Sequence, residues 1–251
     1  MSAIIERGRT AAAIGLGVGL IGLGVLSVIH RDFALQWQPV PADIPGRAVL
    51  GMISGLILIA AGLLLLIART RAWGAAIAAA FIGLWVLGLH LPKALAHPGS
   101  LPGWLGIGET LAMTMGAFVL FREQRSAEGR DRWARAAVPV FGVTLVMFGA
   151  SHFLFAKFTA SMIPDWLPMR LALAYVTGSI HAGCGLVILS GRWRWIAAAV
   201  EAAMMTSFVL LVHLPRVAAH PTDRLELTML FVAITLSSAA WGIAASRAVR
   251  P

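Results

Sequence analysis

The chain has 251 residues, 59% of them hydrophobic and only 12% charged, whereas an ordinary soluble domain carries about 25% charged residues. A water-soluble core cannot hide that much apolar surface, and the apolar residues arrive in blocks of about 20, the span of a bilayer's hydrocarbon. The formal charge of +9 comes from arginines clustered at the ends of those blocks, so lipid rather than nucleic acid is the partner the charge pattern implies.

The basic N-terminus MSAIIERGRT and the apolar run from Ala11 to Ile29 have the charge order of a signal peptide. The run is too long for one and no A-x-A-like cleavage site follows, so it reads as a retained first helix. Its glycines, Gly15, Gly17, Gly19, Gly22 and Gly24, allow close helix contact. Apolar windows predict helices at 10–30, 47–68, 72–92, 104–122, 136–156, 169–190, 195–214 and 226–246. The predicted fold is therefore an all-α integral membrane protein of eight transmembrane helices. An even number of spans puts both termini on one side, and 13 of the 20 basic residues fall there. By the positive-inside rule that side is cytoplasmic, which implies a multi-pass protein of the inner (plasma) membrane.

Between the first and second predicted helices of each half lies a polar-aromatic segment, DFALQWQPVPADIPGR (32–47) and KFTASMIPDWLPMR (157–170). The prolines oppose a continuous helix, and Trp37 and Trp166 suit the headgroup layer, so short interfacial elements are expected on the non-cytoplasmic face. Sliding the chain on itself by 123 residues aligns Arg47–Pro98 with Arg170–Pro221 without a gap, with 21 identities in 52 positions. HLPKALAHP (90–98) meets HLPRVAAHP (213–221), and RTR (69–71) meets RWR (192–194). The expected organisation is two parallel-oriented four-helix repeats, residues 1–121 and 136–251, joined by a charged linker at 122–135 and related by an axis along the membrane normal.

Six of seven histidines (His30, His90, His97, His152, His213 and His220) map to the outer helix ends or adjoining loops. One reading is that imidazole is comfortable at an interface; the other is a metal or haem site. His90 and His97 are seven residues apart, roughly 10 Å of helical rise, so one helix cannot offer both to one ion. A site would need His90 with His213 across the repeat axis, or one of them with His30 or His152. His181 differs, lying near mid-membrane where the first half has Leu58, and Glu201 lies at comparable depth where the first half has Ala78. They read as a buried ionisable pair, functional or merely packing. Glu109, matched by Val232, is a third candidate. Cys184 is the single cysteine, so the chain alone builds no disulfide or iron–sulfur cluster. No Walker loop, GxSxG elbow or HExxH is present.

With GASHFLFAKF, IPDWLPMRLALAYVTG and a small-residue-rich helix ending in RWR, the second half resembles the DoxX-like family of four-helix bacterial membrane proteins. The first half, with DFALQWQPVPADIPGR and IGETLAMTMGA, resembles the same family, so the whole chain looks like a tandem fusion. The family takes its name from the small subunit of an archaeal thiosulfate:quinone oxidoreductase. The resemblance thus implies a role beside a quinone-linked redox chain with a membrane or periplasmic redox partner. An acidic residue often found in the family's second helix is here Leu58 or His181, so its chemistry does not carry over directly.

Three functions are consistent with these residues: an accessory or redox subunit that contacts quinone or haem at the outer face, a small-molecule or ion transporter, and a structural membrane anchor for partners. Whether the chain is an enzyme is left open by the sequence.

Overall fold

The computed structural model describes residues 2–125 and 131–250. Among them the chain is all-α, with eight helices long and apolar enough to cross a membrane: α1 (Ala3–His30), α2 (Arg47–Leu66), α3 (Arg71–Ala96), α4 (Leu101–Arg125), α5 (Arg132–Leu154), α6 (Arg170–Ser190), α7 (Arg194–Ala219) and α8 (Arg224–Ala244). Their perimeter is apolar: Leu56, Leu84 and Leu186 are each more than half exposed, as side chains facing hydrocarbon should be. Each helix packs on the next in sequence, α8 closes back on α1, and α4 meets α8 across the middle. The face that carries the chain ends is called here the terminal face, and the other the opposite face.

Glycine sets the closest approaches. A Cβ on Gly24 would lie 2.5 Å from the Gly55 carbonyl and one on Gly62 2.6 Å from the Gly17 carbonyl, so α1 and α2 cross backbone to backbone. In the second half a Cβ on Gly149 would lie 2.8 Å from the Gly178 carbonyl and one on Gly185 2.6 Å from the Gly142 carbonyl. Small residues replace the hydrophobic effect as the means of association inside lipid. Gly55 and Gly178 are 123 residues apart, whereas Gly24 and Gly149 are 125 apart, so the connection from α1 to α2 is two residues longer than that from α5 to α6. Gly116 of α4 and Ala239 of α8, again 123 apart, touch each other: a Cβ on Gly116 would come within 2.6 Å of Ala239 Cα.

Several helix ends differ from the expected ones. α3 and α7 run on to Ala96 and Ala219 because a widened π turn precedes each proline. The amide of Leu91 reaches back to the Val86 carbonyl and that of Leu214 to the Val209 carbonyl, five residues instead of four. The wider turn accommodates Pro92 and Pro215, each of which lacks an N–H and would crowd the carbonyl four residues before it. The charged linker is also shorter than expected, since α4 continues to Arg125 and α5 starts at Arg132. Asp131 caps α5, accepting from the Trp133 and Ala134 amides, and pairs with Arg122 at 2.6 Å. Residues 126–130 of that linker lie outside the described residues.

The expected interfacial elements are a 3₁₀ turn at Leu35–Trp37 and a short helix at Ala156–Met162. The first is not interfacial in character. Trp37 is 4% exposed and belongs to the core of the first half, while Trp166 is 61% exposed. The headgroup expectation for Trp37 is thereby corrected: the segment folds inward because polar side chains within the bundle satisfy its backbone and amide groups, as described below.

Two ion-pair clusters tie the halves. On the terminal face, Glu123 of α4, 3% exposed in its side chain, binds Arg9 at 2.6 Å and Arg247 at 2.9 Å. On the opposite face, Asp32 after α1 binds Arg47 at 2.8 Å and Arg224 of α8 at 3.2 Å.

Candidate functional site

α6 enters from the opposite face, and His181, eleven residues after Arg170, sits roughly 16 Å along it. α7 enters from the terminal face and brings Glu201 to a similar level. The two side chains are 3% and 0% exposed, and His181 Nδ1 lies 2.6 Å from Glu201 Oε1. A proton therefore lies between an imidazole and a carboxylate at mid-membrane. The other carboxylate oxygen, Oε2, is buried and has no hydrogen-bond partner among the described residues. Cys184, one turn further along α6, lies against the Glu201 backbone and carboxylate.

The surroundings are aromatic. Phe148 and Phe208 approach the His181 ring edge to face, with centroids 5.6 and 5.9 Å away. His152, near the end of α5, meets the same ring at 4.9 Å, also edge to face, and stacks on Phe208 at 6.3 Å. His152 Nδ1 lies 2.9 Å from Thr177 Oγ1 and 3.3 Å from the Ala174 carbonyl. A carbonyl only accepts, so an Nδ1 that bonds it carries the hydrogen, and Nε2 of His152 makes no hydrogen bond among the described residues. The site is thus a chain of three protonatable groups, His152, His181 and Glu201, reaching from the opposite-face end of α5 to the middle of the bundle.

In the first half the equivalent places hold Ser27, Leu58 and Ala78, with Trp85 in place of Phe208; all four are buried. Its polar groups lie nearer the opposite face. His90, 3% exposed, donates from Nε2 to the Trp37 carbonyl at 2.9 Å, and Ser54 donates to Gln38 Oε1 at 2.9 Å. Gly106 makes room for the ring: a Cβ there would lie 2.5 Å from His90 Nδ1. Glu109 is half-buried and interacts with the Trp37 indole; among the described residues it has no carboxylate or imidazole partner comparable to that of Glu201.

The six outer histidines do not converge. His30, His97 and His220 are exposed at helix ends, His90 and His152 are engaged within separate halves, and His213 is half-buried beside the bidentate Arg216–Glu226 pair, whose contacts are 2.8 and 2.5 Å. Among the described residues no three His, Cys, Asp or Glu side chains gather as metal ligands would. A haem held by two imidazoles does not fit these residues either: both rings would have to aim a nitrogen at one iron from opposite sides, whereas the His152 and His181 rings stand edge to face with centroids 4.9 Å apart and His90 spends its Nε2 on Trp37. A quinone fits the donor set better, because its carbonyls accept from an imidazole N–H or a carboxyl O–H.

A family of unknown function matches this half. Its description reads "Domain of unknown function (DUF8561)" and it covers residues 141–241, which include His152, His181, Glu201 and His213. No curated protein and no solved structure matches the chain.

His152 as a third member of the interior chain is what sequence reasoning missed. The available signal was the change of register from 123 to 125 between α2 and α1, which pairs His152 with buried Ser27 instead of exposed Ile29.

Proposed function

We propose that the protein is a proton-handling subunit of the inner membrane, with both termini cytoplasmic, descended from a tandem duplication in which the second half kept or gained the chemistry. The observation that carries this reading is the His181–Glu201 hydrogen bond of 2.6 Å between side chains 3% and 0% exposed. Burying a carboxylate in hydrocarbon costs several kcal/mol unless it is paired or neutral. A shared proton satisfies both groups, and such a pair takes up or gives up one further proton in exchange with a neighbour. His152 supplies that neighbour on the opposite-face side, so protons enter and leave the pair from that face. In this reading the pair serves a lipid-soluble ligand of quinone type, or a redox partner that reduces it, by holding a proton at Glu201 or His181 where the ligand oxygen needs one.

The reading moves the working centre from the outer histidines to the interior of the second half. A transporter would use the same protonatable pair, and the test separates the two. In a lipid film, infrared difference spectra recorded across a pH step on the opposite face should show the carboxyl band of Glu201, absent in Glu201→Gln. No band in the wild type would overturn proton handling; a band accompanied by substrate-dependent proton flux in proteoliposomes would favour transport.

A further inference from the structure

The segments that follow α1 and α5 behave differently, and the difference exposes one histidine. In the first half residues 33–38 fold into the mouth of the bundle: Phe33, Ala34, Trp37 and Gln38 are all 5% exposed or less. The 3₁₀ turn seats against α4 and gives its Trp37 carbonyl to His90. Under this plug Trp85, Val86 and His90 are 3%, 8% and 3% exposed.

In the second half the corresponding segment lies outside. Its short helix packs on α5 and α6, and Phe158, Trp166 and Met169 are 67%, 61% and 76% exposed. The equivalents of the plugged residues, Phe208, Val209 and His213, are all partly uncovered. The imidazole of His213 makes no hydrogen bond among the described residues, and its Nδ1 is buried without a partner. The charged groups facing it are Arg216 of α7 and Glu226 of α8, which already satisfy each other. The same histidine in the same HLP context therefore has a carbonyl acceptor in one half and none in the other.

We infer that the mouth of the second half is a ligand site for a flat, carbonyl-bearing ring carried in the lipid phase, which takes the place that Trp37 fills in the first half. His213 donates to the ring's carbonyl as His90 donates to that of Trp37. Phe208, stacked on His152 with 21° between the planes, supplies a flat wall. The occupant is a small molecule because the opening lies within the membrane-spanning part of α7, six residues or roughly 9 Å short of its end at Ala219. This deepens the proton-handling reading, since the ring would rest above the His152–His181–Glu201 chain, but the site stands on its own geometry.

The test is binding of a short-chain benzoquinone to the detergent-purified full chain, with an alkylbenzene of the same tail as the control lacking carbonyls. The quinone should bind saturably, and His213→Ala should raise its Kd about tenfold, as loss of one well-placed hydrogen bond does. His213→Gln, which keeps an N–H donor, should recover most of that loss, and His220→Ala should change nothing. The alkylbenzene should bind weakly and be indifferent to His213→Ala. Equal binding of both probes, or a Kd unmoved by His213→Ala in a protein whose Tm is unchanged, would overturn the site. Absence of saturable quinone binding would also overturn it and would point to a protein segment as the occupant. Binding without the infrared response of Glu201 would sink proton handling and leave the site; the response without binding would do the reverse.

Discussion

Where the second half of the chain holds His181, Glu201 and Phe208, the first holds Leu58, Ala78 and Trp85, all buried in an apolar core. Where the first half is closed by Trp37 and Gln38, the second presents Phe208 and His213 half-covered. Two bundles with the same helix order, the same π turns before proline and the same glycine crossings thus differ in one coordinated respect: the sealed bundle is apolar at mid-depth, and the open one is protonatable. A buried carboxylate needs a route for its proton, and sealing the mouth would remove that route. Leu58 and Ala78 need none.

The largest expected effect tests the seal. Trp37→Ala should cost about 3–5 kcal/mol, the usual range for emptying a large aromatic from a core, whereas the exposed Trp166→Ala should stay within about 0.5 kcal/mol. Melting curves of the two variants side by side check this, and equal losses would erase the distinction between plug and surface segment.

Next comes the polar pair. His181→Leu, which installs the residue that the first half has at Leu58, should destabilise by about 3 kcal/mol because it strands Glu201. Adding Glu201→Ala, the counterpart of Ala78, should restore much of that loss, and a double-mutant cycle measures how much. If the double variant is no better than the single one, the two residues do not act as a pair.

A smaller effect probes what the halves share. Gly149→Leu places atoms against Ala182 and the Gly178 carbonyl, 2.7 and 2.8 Å from the position of its Cβ, and should cost about 2–3 kcal/mol by overpacking. Gly183→Ala, with nothing within 4 Å, should be neutral in the same melt. Gly24→Leu in the first half should behave as Gly149→Leu does; a marked difference would mean the two crossings are not equivalent.

The smallest effect concerns the junction between halves. Burial works against ionisation of Asp32, but the Phe33 amide, the hydrogen bond from Arg224 and the charges of Arg47 and Arg224 outweigh it and hold the carboxyl below its ordinary value of 3.8. A depressed carboxyl stabilises the fold above its unfolded pKa and loses that contribution as pH falls through the folded value. Tm should therefore drop more steeply below about pH 4 in the wild type than in Asp32→Asn. Parallel acid curves for the two would remove Asp32 as a tie between halves.

The eight spans were legible because hydrocarbon enforces a length and an apolarity that no tertiary contact can relax. Their ends are less so: apolar windows stop near 92 and 214, where Lys93 and Arg216 follow, whereas the π turns before Pro92 and Pro215 carry the helices on to Ala96 and Ala219. The meeting of His181 and Glu201 followed from depth arithmetic on two helices joined by a short turn. Trp37 was misread because amphipathic residues beside prolines look alike whether they rest on headgroups or fold inward. What decides is a carbonyl acceptor for His90 and an amide acceptor for Ser54, contacts made far along the chain. His213 stands out in the sequence only as the counterpart of His90 in the paired HLP motif; its unmet imidazole becomes visible only beside the satisfied His90.

Accessibility of those two histidine positions bears most directly on the contrast between a sealed and an open half. In a Cys184→Ala background, single cysteines at His90 and His213 would be exposed to a membrane-permeant maleimide, with Tm as the check on folding. Rapid labelling of His213→Cys is expected, with His90→Cys labelled only when Trp37→Ala is added. Equal labelling of both positions with Trp37 in place would contradict it.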